Sequence, residues 1–278
     1  MLFIFTALYC EAYPFIQYYH LKKDVSQTRF QVFKDKEEQI LLAVTGVGTV
    51  AAAAAIGSVC TQYHADKNDF LINVGICAGK EEKGKIFLGN KIIEAETGKT
   101  FYPDLLYCHR FTEAEIITSA KACSKTESYN SEFLYDMEAS AVYQAGNYFF
   151  GPHRMVFLKI ISDDGNPKDV TLEDAKSLVA KNLEKIAEYL HRLSAISQME
   201  GQKKAVFQSA DKITEKICRD MHCSCVMAAS VRQYIYYLAL SGKDYMSLIE
   251  EMYIEKKLPC KGKREGKNCF EEFKRRLL

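Results

Sequence analysis

The sequence predicts an α/β fold, in which short buried strands alternate with helices. Leu2–Ala7 is an apolar run, and helical sequence follows it. A second strand, Gln39–Thr45, precedes the alanine-rich segment Ala51–Tyr63, and Met155–Ile161 is a third apolar run. Apolar runs of about four to eight residues, separated by helical segments, are typical of a sheet that is covered by helices.

The remaining elements of this domain follow in chain order. They are the strands Arg29–Phe33, Phe70–Gly75, Lys85–Glu96 and Thr100–Tyr102, and the helices Glu11–Tyr18, Ala139–Phe150 and Thr171–Leu193. The last helix carries its apolar residues on one stripe, and Thr171 with Asp174 is typical of a capping box at its start. Residues 103–132 have no strong periodicity, so no element is predicted there.

A change in charge predicts a domain boundary near residues 198–205. Residues 198–278 contain 16 Lys and Arg against 11 Asp and Glu, whereas residues 1–197 contain 21 against 25. The sequence around Gly201 also interrupts the helical periodicity. We therefore expect an α/β domain at 1–197 and a small helical C-terminal extension at 198–278. Its predicted helices are approximately 203–219, 224–240, 244–256 and 268–277.

Composition excludes several classes of protein. The net charge of +1 provides no general attraction for nucleic acid, so a nucleic-acid partner is not expected. No apolar run reaches the roughly 18 residues that a membrane helix needs, and residues 1–8 lack the basic start of a secretory signal. The ten cysteines fit no standard zinc spacing, so no metal site is expected. We expect reduced thiols in a cytoplasmic protein.

Three acidic residues follow predicted strands. Glu11 lies just after the first strand, Glu138 lies in the segment Leu134–Ala141, and Asp163 ends the strand Met155–Ile161. Each has a structural alternative, because an acid at a helix start is usually a cap and Ser-Asp-Asp-Gly is usually a turn. Carboxylates at the carboxyl ends of strands are also how open α/β sheets build a pocket. We expect Glu138 and Asp163 at neighbouring strand ends, facing one cleft.

The motifs around these acids resemble the purine-nucleoside phosphorylase and nucleosidase superfamily. M-E-A-x-A at Met137–Ala141 is followed by I-S-D at Ile161–Asp163, Ala7 and Glu11 fit A-x-x-x-E, and G-V-G lies at Gly46–Gly48. The sequence is most similar to the methylthioadenosine/S-adenosylhomocysteine nucleosidase branch, over about residues 1–197. The resemblance implies a three-layer α/β/α sandwich around a mixed twisted sheet. It also implies a homodimer that uses no cofactor.

The resemblance implies a role for each matched residue. Glu11 would activate the attacking water and Asp163 would donate a proton to the purine. The implied substrate-binding residues are Ala7, Val47, Ile76, Cys77, Ala78, Tyr135, Asp136, Met137, Glu138 and Ser162. Phe111, Tyr129 and Phe133 are open candidates for stacking on the purine. The expected reaction is hydrolysis of the N-glycosidic bond of an adenine nucleoside, of the 5′-methylthioadenosine, 5′-deoxyadenosine or S-adenosylhomocysteine type, which releases adenine.

Two alternatives remain at this point. One is a phosphate-dependent purine nucleoside phosphorylase of the same fold. Asn73 and Ile76 stand where such phosphorylases have an arginine and a serine for phosphate, and neither can ion-pair with a dianion. This favours water as the nucleophile. The other alternative is a catalytically silent nucleoside-binding module, although a module that only binds has no use for a water-activating base.

Overall fold

The strands in the described part of the chain form one mixed sheet. A computed structural model describes residues 1–26, 29–122, 132–166 and 170–277. The strands are β1 (Leu2–Thr6), β2 (Lys22–Lys23), β3 (Gln31–Lys34), β4 (Ile40–Val44), β5 (Phe70–Ala78), β6 (Ile86–Glu94), β7 (Thr100–Phe101), β8 (Thr112–Thr118), β9 (Leu134–Asp136) and β10 (Met155–Asp163). The helices are α1 (Tyr9–Tyr18), α2 (Thr49–Gln62), α3 (Ala139–Gly146), α4 (Leu172–Asp220), α5 (Cys225–Leu240), α6 (Met246–Ile254) and α7 (Lys263–Leu277), with a 3-10 turn at Pro152–Arg154. The predicted α/β class and the helical C-terminal region are confirmed.

The centre of the sheet is parallel. Strand β1 pairs in parallel with β4 on one side and with β5 on the other, and β5 also pairs in parallel with β10. The carboxyl ends of these four strands therefore lie at one edge of the sheet, where open α/β folds place their ligands.

The sheet also closes on itself, which the sequence did not predict. Strand β5 pairs with β10 and β9, β10 pairs with β6, β6 with β8, and β8 with β9, so that these five strands form a small barrel. The expected three-layer α/β/α sandwich around a mixed twisted sheet did not include this barrel. Strand β8 lies in the stretch for which no element was predicted. Most of its residues are at least partly exposed, so that little apolar alternation marks it.

Helices cover both faces of the sheet. Alternate residues of β1 point to opposite faces, as the two-residue period of a strand requires. Leu2 and Ile4 belong to a core that contains residues of α1 and α4, whereas Phe3 and Phe5 belong to a core that contains residues of α2 and α3. These aliphatic and aromatic side chains are almost completely buried.

The C-terminal helices form a compact unit, Met199–Leu278, which is distinct from the compact unit Met1–Gln198. The predicted break in the helix near residues 198–205 is wrong, because α4 runs without interruption from Leu172 to Asp220. A glycine in a helix interior costs only about 0.5–1 kcal/mol relative to alanine, which a long helix tolerates. The predicted capping box is present at the start of α4, where Thr171 and Asp174 bond reciprocally.

The second unit has its own apolar core, which includes Ile217, Val231, Ile235, Met252 and Phe273. Across the described ranges, no group of three or more His, Cys, Asp or Glu side chains is arranged to hold a metal ion. The helices in those ranges are also too short or too polar to cross a bilayer.

Candidate active site

A cavity of about 160 Å³ lies where the parallel strands end. Its wall contains all twelve residues that the resemblance implied, together with Leu8 and Ala122, which the sequence did not indicate. The twelve are Ala7, Glu11, Val47, Ile76, Cys77, Ala78, Tyr135, Asp136, Met137, Glu138, Ser162 and Asp163. We call this space the acidic cavity. Glu138 and Asp163 were expected at the ends of neighbouring strands. This expectation is wrong, because β5 lies between β9 and β10.

Glu11 is held rigidly at the start of helix α1. The carboxylate accepts hydrogen bonds from the backbone N–H of Leu8 through Oε2 and of Ile76 through Oε1, both at 2.9 Å. The bond from Leu8 caps the start of helix α1, so a capping role explains the position of Oε2 but not that of Oε1. Burial raises the pKa of Glu11, although the backbone hydrogen bonds and Lys159 oppose this effect. A Cβ atom at Gly75 would lie 3.2 Å from Oε1, so glycine allows the strand to approach this closely.

Glu138 lies opposite a glycine turn. Its Oε1 accepts a hydrogen bond of 2.8 Å from the backbone N–H of Gly48. Both Gly46 and Gly48 have positive φ angles, of 86° and 98°, a conformation that side chains other than glycine rarely adopt. Burial, together with the negative charge of Asp136, raises the pKa of Glu138 to about 7. Within the described ranges no donor binds its Oε2, which leaves that oxygen available to a ligand.

Asp163 ends strand β10 in a tight turn. Its Oδ1 accepts hydrogen bonds from the backbone N–H groups of Gly165 and Asn166, both at 2.9 Å. Its Oδ2 lies 2.7 Å from the hydroxyl of Ser162, and that hydroxyl also lies 3.1 Å from the carbonyl oxygen of Cys77. The turn therefore fixes one carboxyl oxygen and places the other in a hydrogen-bonded chain.

Lys159 is a buried residue beside the acidic cavity, and sequence reasoning did not assign it a role. Its Nζ lies 2.7 Å from Oδ2 of Asp136, and the two side chains are 1% and 0% exposed. Asp136 also accepts hydrogen bonds from Thr118 Oγ1 at 2.7 Å and from the backbone N–H of Ala139 at 2.9 Å. Burial lowers the pKa of Lys159, but the charges of Asp136 and Glu138 outweigh it and hold the pKa above its ordinary value. The sequence did contain an indication of this ion pair, because Lys159 lies in the middle of an otherwise apolar predicted strand and a buried lysine needs an acidic partner.

The role expected for Asp136 therefore changes. Its carboxylate is enclosed by the ion pair, so only its backbone faces the acidic cavity. The candidates for stacking on a purine change too. Phe111 lines a different cavity, Phe133 does not line this one, and Tyr129 lies outside the described residues. Tyr135 and Met137 provide the large side chains of the wall instead.

No lysine or arginine side chain is among the described residues that line the acidic cavity. Asn73 is buried in the sheet, where its amide donates a hydrogen bond of 3.3 Å to the carbonyl oxygen of Phe5. The backbone N–H of Ile76 is taken by Glu11. A dianion would have no cationic partner among these described lining residues, and burying an unpaired charge is costly.

The fold is similar to that of solved nucleosidase structures, so the predicted resemblance is confirmed at the level of the fold. The structure is similar to 5′-methylthioadenosine/S-adenosylhomocysteine nucleosidase from Neisseria meningitidis in complex with methylthio-immucillin-A. The TM-score is 0.56 at 18% identity, over 68% of this chain and 98% of that one.

Two further structures have the same fold. The nucleosidase of this type from Colwellia psychrerythraea, in complex with adenine, has a TM-score of 0.55 at 17% identity, over 71% of this chain and 94% of that one. Futalosine hydrolase of Helicobacter pylori has a TM-score of 0.55 at 13% identity, over 68% of this chain and 97% of that one. No protein-family model and no curated protein sequence matches the chain.

Proposed function

We propose that this protein hydrolyses the N-glycosidic bond of an adenine nucleoside and releases adenine. The observation that carries the proposal is the position of Glu11, Glu138 and Asp163 in one cavity, without a cationic side chain among its described lining residues. Cleavage by water needs a base for the water, an acceptor for the ribose hydroxyls and a proton donor for the leaving purine. The acidic cavity offers one carboxyl group for each task.

Glu11 is the proposed base. Two backbone N–H groups fix its carboxylate, and its raised pKa makes it a stronger base than an exposed glutamate. Glu138 is the proposed acceptor for the ribose, through its available Oε2. A hydrogen bond to an ionised acceptor contributes about 1.5–3 kcal/mol. Because the pKa of Glu138 is about 7, we expect this acceptor to become effective as the pH rises through neutrality.

Asp163 is the proposed acid. Its carboxyl group lines the acidic cavity, where two backbone N–H groups and the hydroxyl of Ser162 hold it in place. A carboxyl group that is fixed in the cavity wall is positioned to transfer a proton to a leaving purine.

Chromatography of free adenine tests the proposal. We expect the pure protein to release adenine from one or more of 5′-methylthioadenosine, 5′-deoxyadenosine and S-adenosylhomocysteine, at a rate independent of phosphate. Asp163→Asn should reduce the rate by about 10²–10⁴-fold, the usual contribution of an acid–base group. Asp164→Asn is the matched control, because Asp164 is exposed and does not line the cavity.

Three outcomes would contradict the proposal. They are adenine release that requires phosphate and yields a ribose 1-phosphate, nucleoside binding without adenine release, and full activity in Asp163→Asn.

We also propose that the protein forms a homodimer. A molar mass equal to that of a monomer, measured by light scattering, would refute this proposal.

A further inference from the structure

A second cavity of about 360 Å³ lies in the unit Met1–Gln198. It is formed by the start of β6, residues 109–112 and helix α4 between Asn182 and Arg192, and it shares no lining residue with the acidic cavity. Its volume falls in the range of about 300–1,000 Å³ that is typical of small-molecule sites. We call it the basic cavity.

Positive charge predominates in its wall. Glu188 is the one acid among the described lining residues, and the cations are Lys85, Arg110, Lys185 and Arg192. Arg192 forms an ion pair with Glu188, and Lys85 forms one with a glutamate outside the cavity at 3.0 Å. Arg110 and Lys185 are exposed, and neither makes a hydrogen bond or an ion pair with any residue of the described ranges. The chain as a whole has a net charge of only +1, so this excess is local.

The same wall has an aromatic surface and a fixed amide. The rings of Phe111 and Tyr189 meet edge to face with centroids 5.5 Å apart, and Tyr189 is buried while Phe111 is half-buried. The amide of Asn182 donates hydrogen bonds to the carbonyl oxygens of Gly84, at 2.9 Å, and Leu178, at 3.0 Å. These bonds fix the side chain and leave its oxygen available as an acceptor. Aromatic faces bind flat rings, and an oriented amide oxygen can accept a hydrogen bond from one.

We propose that the basic cavity binds a nucleoside monophosphate. Arg110 and Lys185 hold the phosphate, since a guanidinium group offers it two parallel hydrogen bonds and an ammonium group a point charge. The base lies against Phe111, with Asn182 accepting from its edge. A phosphate dianion offsets the excess of cations better than a single carboxylate does. The proposal is independent of the reaction assigned to the acidic cavity.

Isothermal titration calorimetry of the full chain tests the proposal, with AMP, UMP, adenosine and inorganic phosphate as probes. We expect AMP or UMP to bind at least tenfold more tightly than inorganic phosphate. The double variant Arg110→Ala/Lys185→Ala should weaken that binding at least tenfold, and Lys185→Arg should retain it. Lys181→Ala is the matched control, because Lys181 is an exposed lysine of α4 outside the cavity.

A further control separates the two cavities. Glu138→Gln alters the acidic cavity alone and should leave binding of the monophosphate unchanged. The proposal is overturned if neither monophosphate binds, if phosphate alone binds as tightly, or if the double variant binds normally. It is also overturned if Glu138→Gln abolishes binding, because the ligand would then occupy the acidic cavity. Both mutated cations are exposed, so circular dichroism should show an unchanged fold.

Discussion

Replacing Lys159 by methionine should destabilise the protein through the loss of a charge, because methionine is similar in size to lysine and leaves no large cavity. Lys159 and Asp136 form a completely buried ion pair with a separation of 2.7 Å. Removing one partner of such a pair costs about 3–5 kcal/mol, because the other charge stays buried without compensation. We expect the lower end, about 3 kcal/mol, since Thr118 and the backbone N–H of Ala139 still donate to Asp136. For a domain of this size that corresponds to a decrease in Tm of about 6–12 °C.

Urea and thermal unfolding measure this loss. Lys181→Met removes an exposed lysine and should change the free energy of unfolding by no more than about 0.5 kcal/mol. The double variant Lys159→Met/Asp136→Asn removes both charges, so it should be more stable than the sum of the two single changes predicts. A Lys159→Met variant whose free energy of unfolding lies within about 1 kcal/mol of that of the native protein would refute the reasoning, because a buried carboxylate without its partner should cost more than this.

Three further predictions concern single side chains. The pKa of Glu138 is raised from 4.5 to about 7, so the folded state binds its proton more tightly than the unfolded chain does. This contribution to stability is complete below pH 4.5 and is lost as the pH rises through 7, by about 3 kcal/mol in total. In urea unfolding, the decrease in stability between pH 5 and pH 8 should be smaller in Glu138→Gln than in the native protein by most of this amount, since the raised pKa of Glu11 contributes equally to both; an equal decrease in the two proteins would contradict the prediction. Gly75→Ala would place a methyl group 3.2 Å from Oε1 of Glu11, so adenine release should fall at least tenfold with little change in Tm, and unchanged kinetics would contradict the assignment of Glu11. Gly266→Ala would place a methyl group 1.8 Å from the backbone carbonyl oxygen of Met221 and should unfold the C-terminal helices. Gly262→Ala would place its methyl group in open space and should leave these helices folded. Equal helix content in the two variants, measured by circular dichroism, would contradict this prediction.

Several strands and helices could be predicted because each is marked by a pattern of a few neighbouring residues. The strand Leu2–Thr6, the helix Thr49–Gln62 and the strand Met155–Asp163 are marked by apolar runs or by alanine-rich sequence, and the predictions located them to within a few residues. Strand β8 could not be predicted, because it is partly exposed and depends on pairing with β6 and β9. The predicted break in helix α4 near residues 198–205 was wrong, because a single glycine costs a long helix only about 0.5–1 kcal/mol.

The candidate site shows the same division. Motifs at strand ends were enough to select residues that share one cavity. The carboxyl ends of the parallel strands β1, β4, β5 and β10 meet at one edge, whereas β9, which precedes Glu138, reaches the cavity through antiparallel pairing with β5. The catalytic roles of Glu11 and Asp163 stay predictions until activity is measured. The stacking candidate Phe111 was misplaced, since it follows no motif and its position depends on packing against Tyr189 of a distant helix.

The sequence by itself determined the α/β class, the order of the main elements and the acidic residues at the strand ends. Only the tertiary structure decided that the sheet closes into a barrel, that Asp136 pairs with Lys159, and that four cations are among the described residues that line a second cavity. The physical reason is range. Periodicity and capping act over a few neighbouring residues, whereas ion pairs, strand closure and cavities depend on groups that are far apart along the chain.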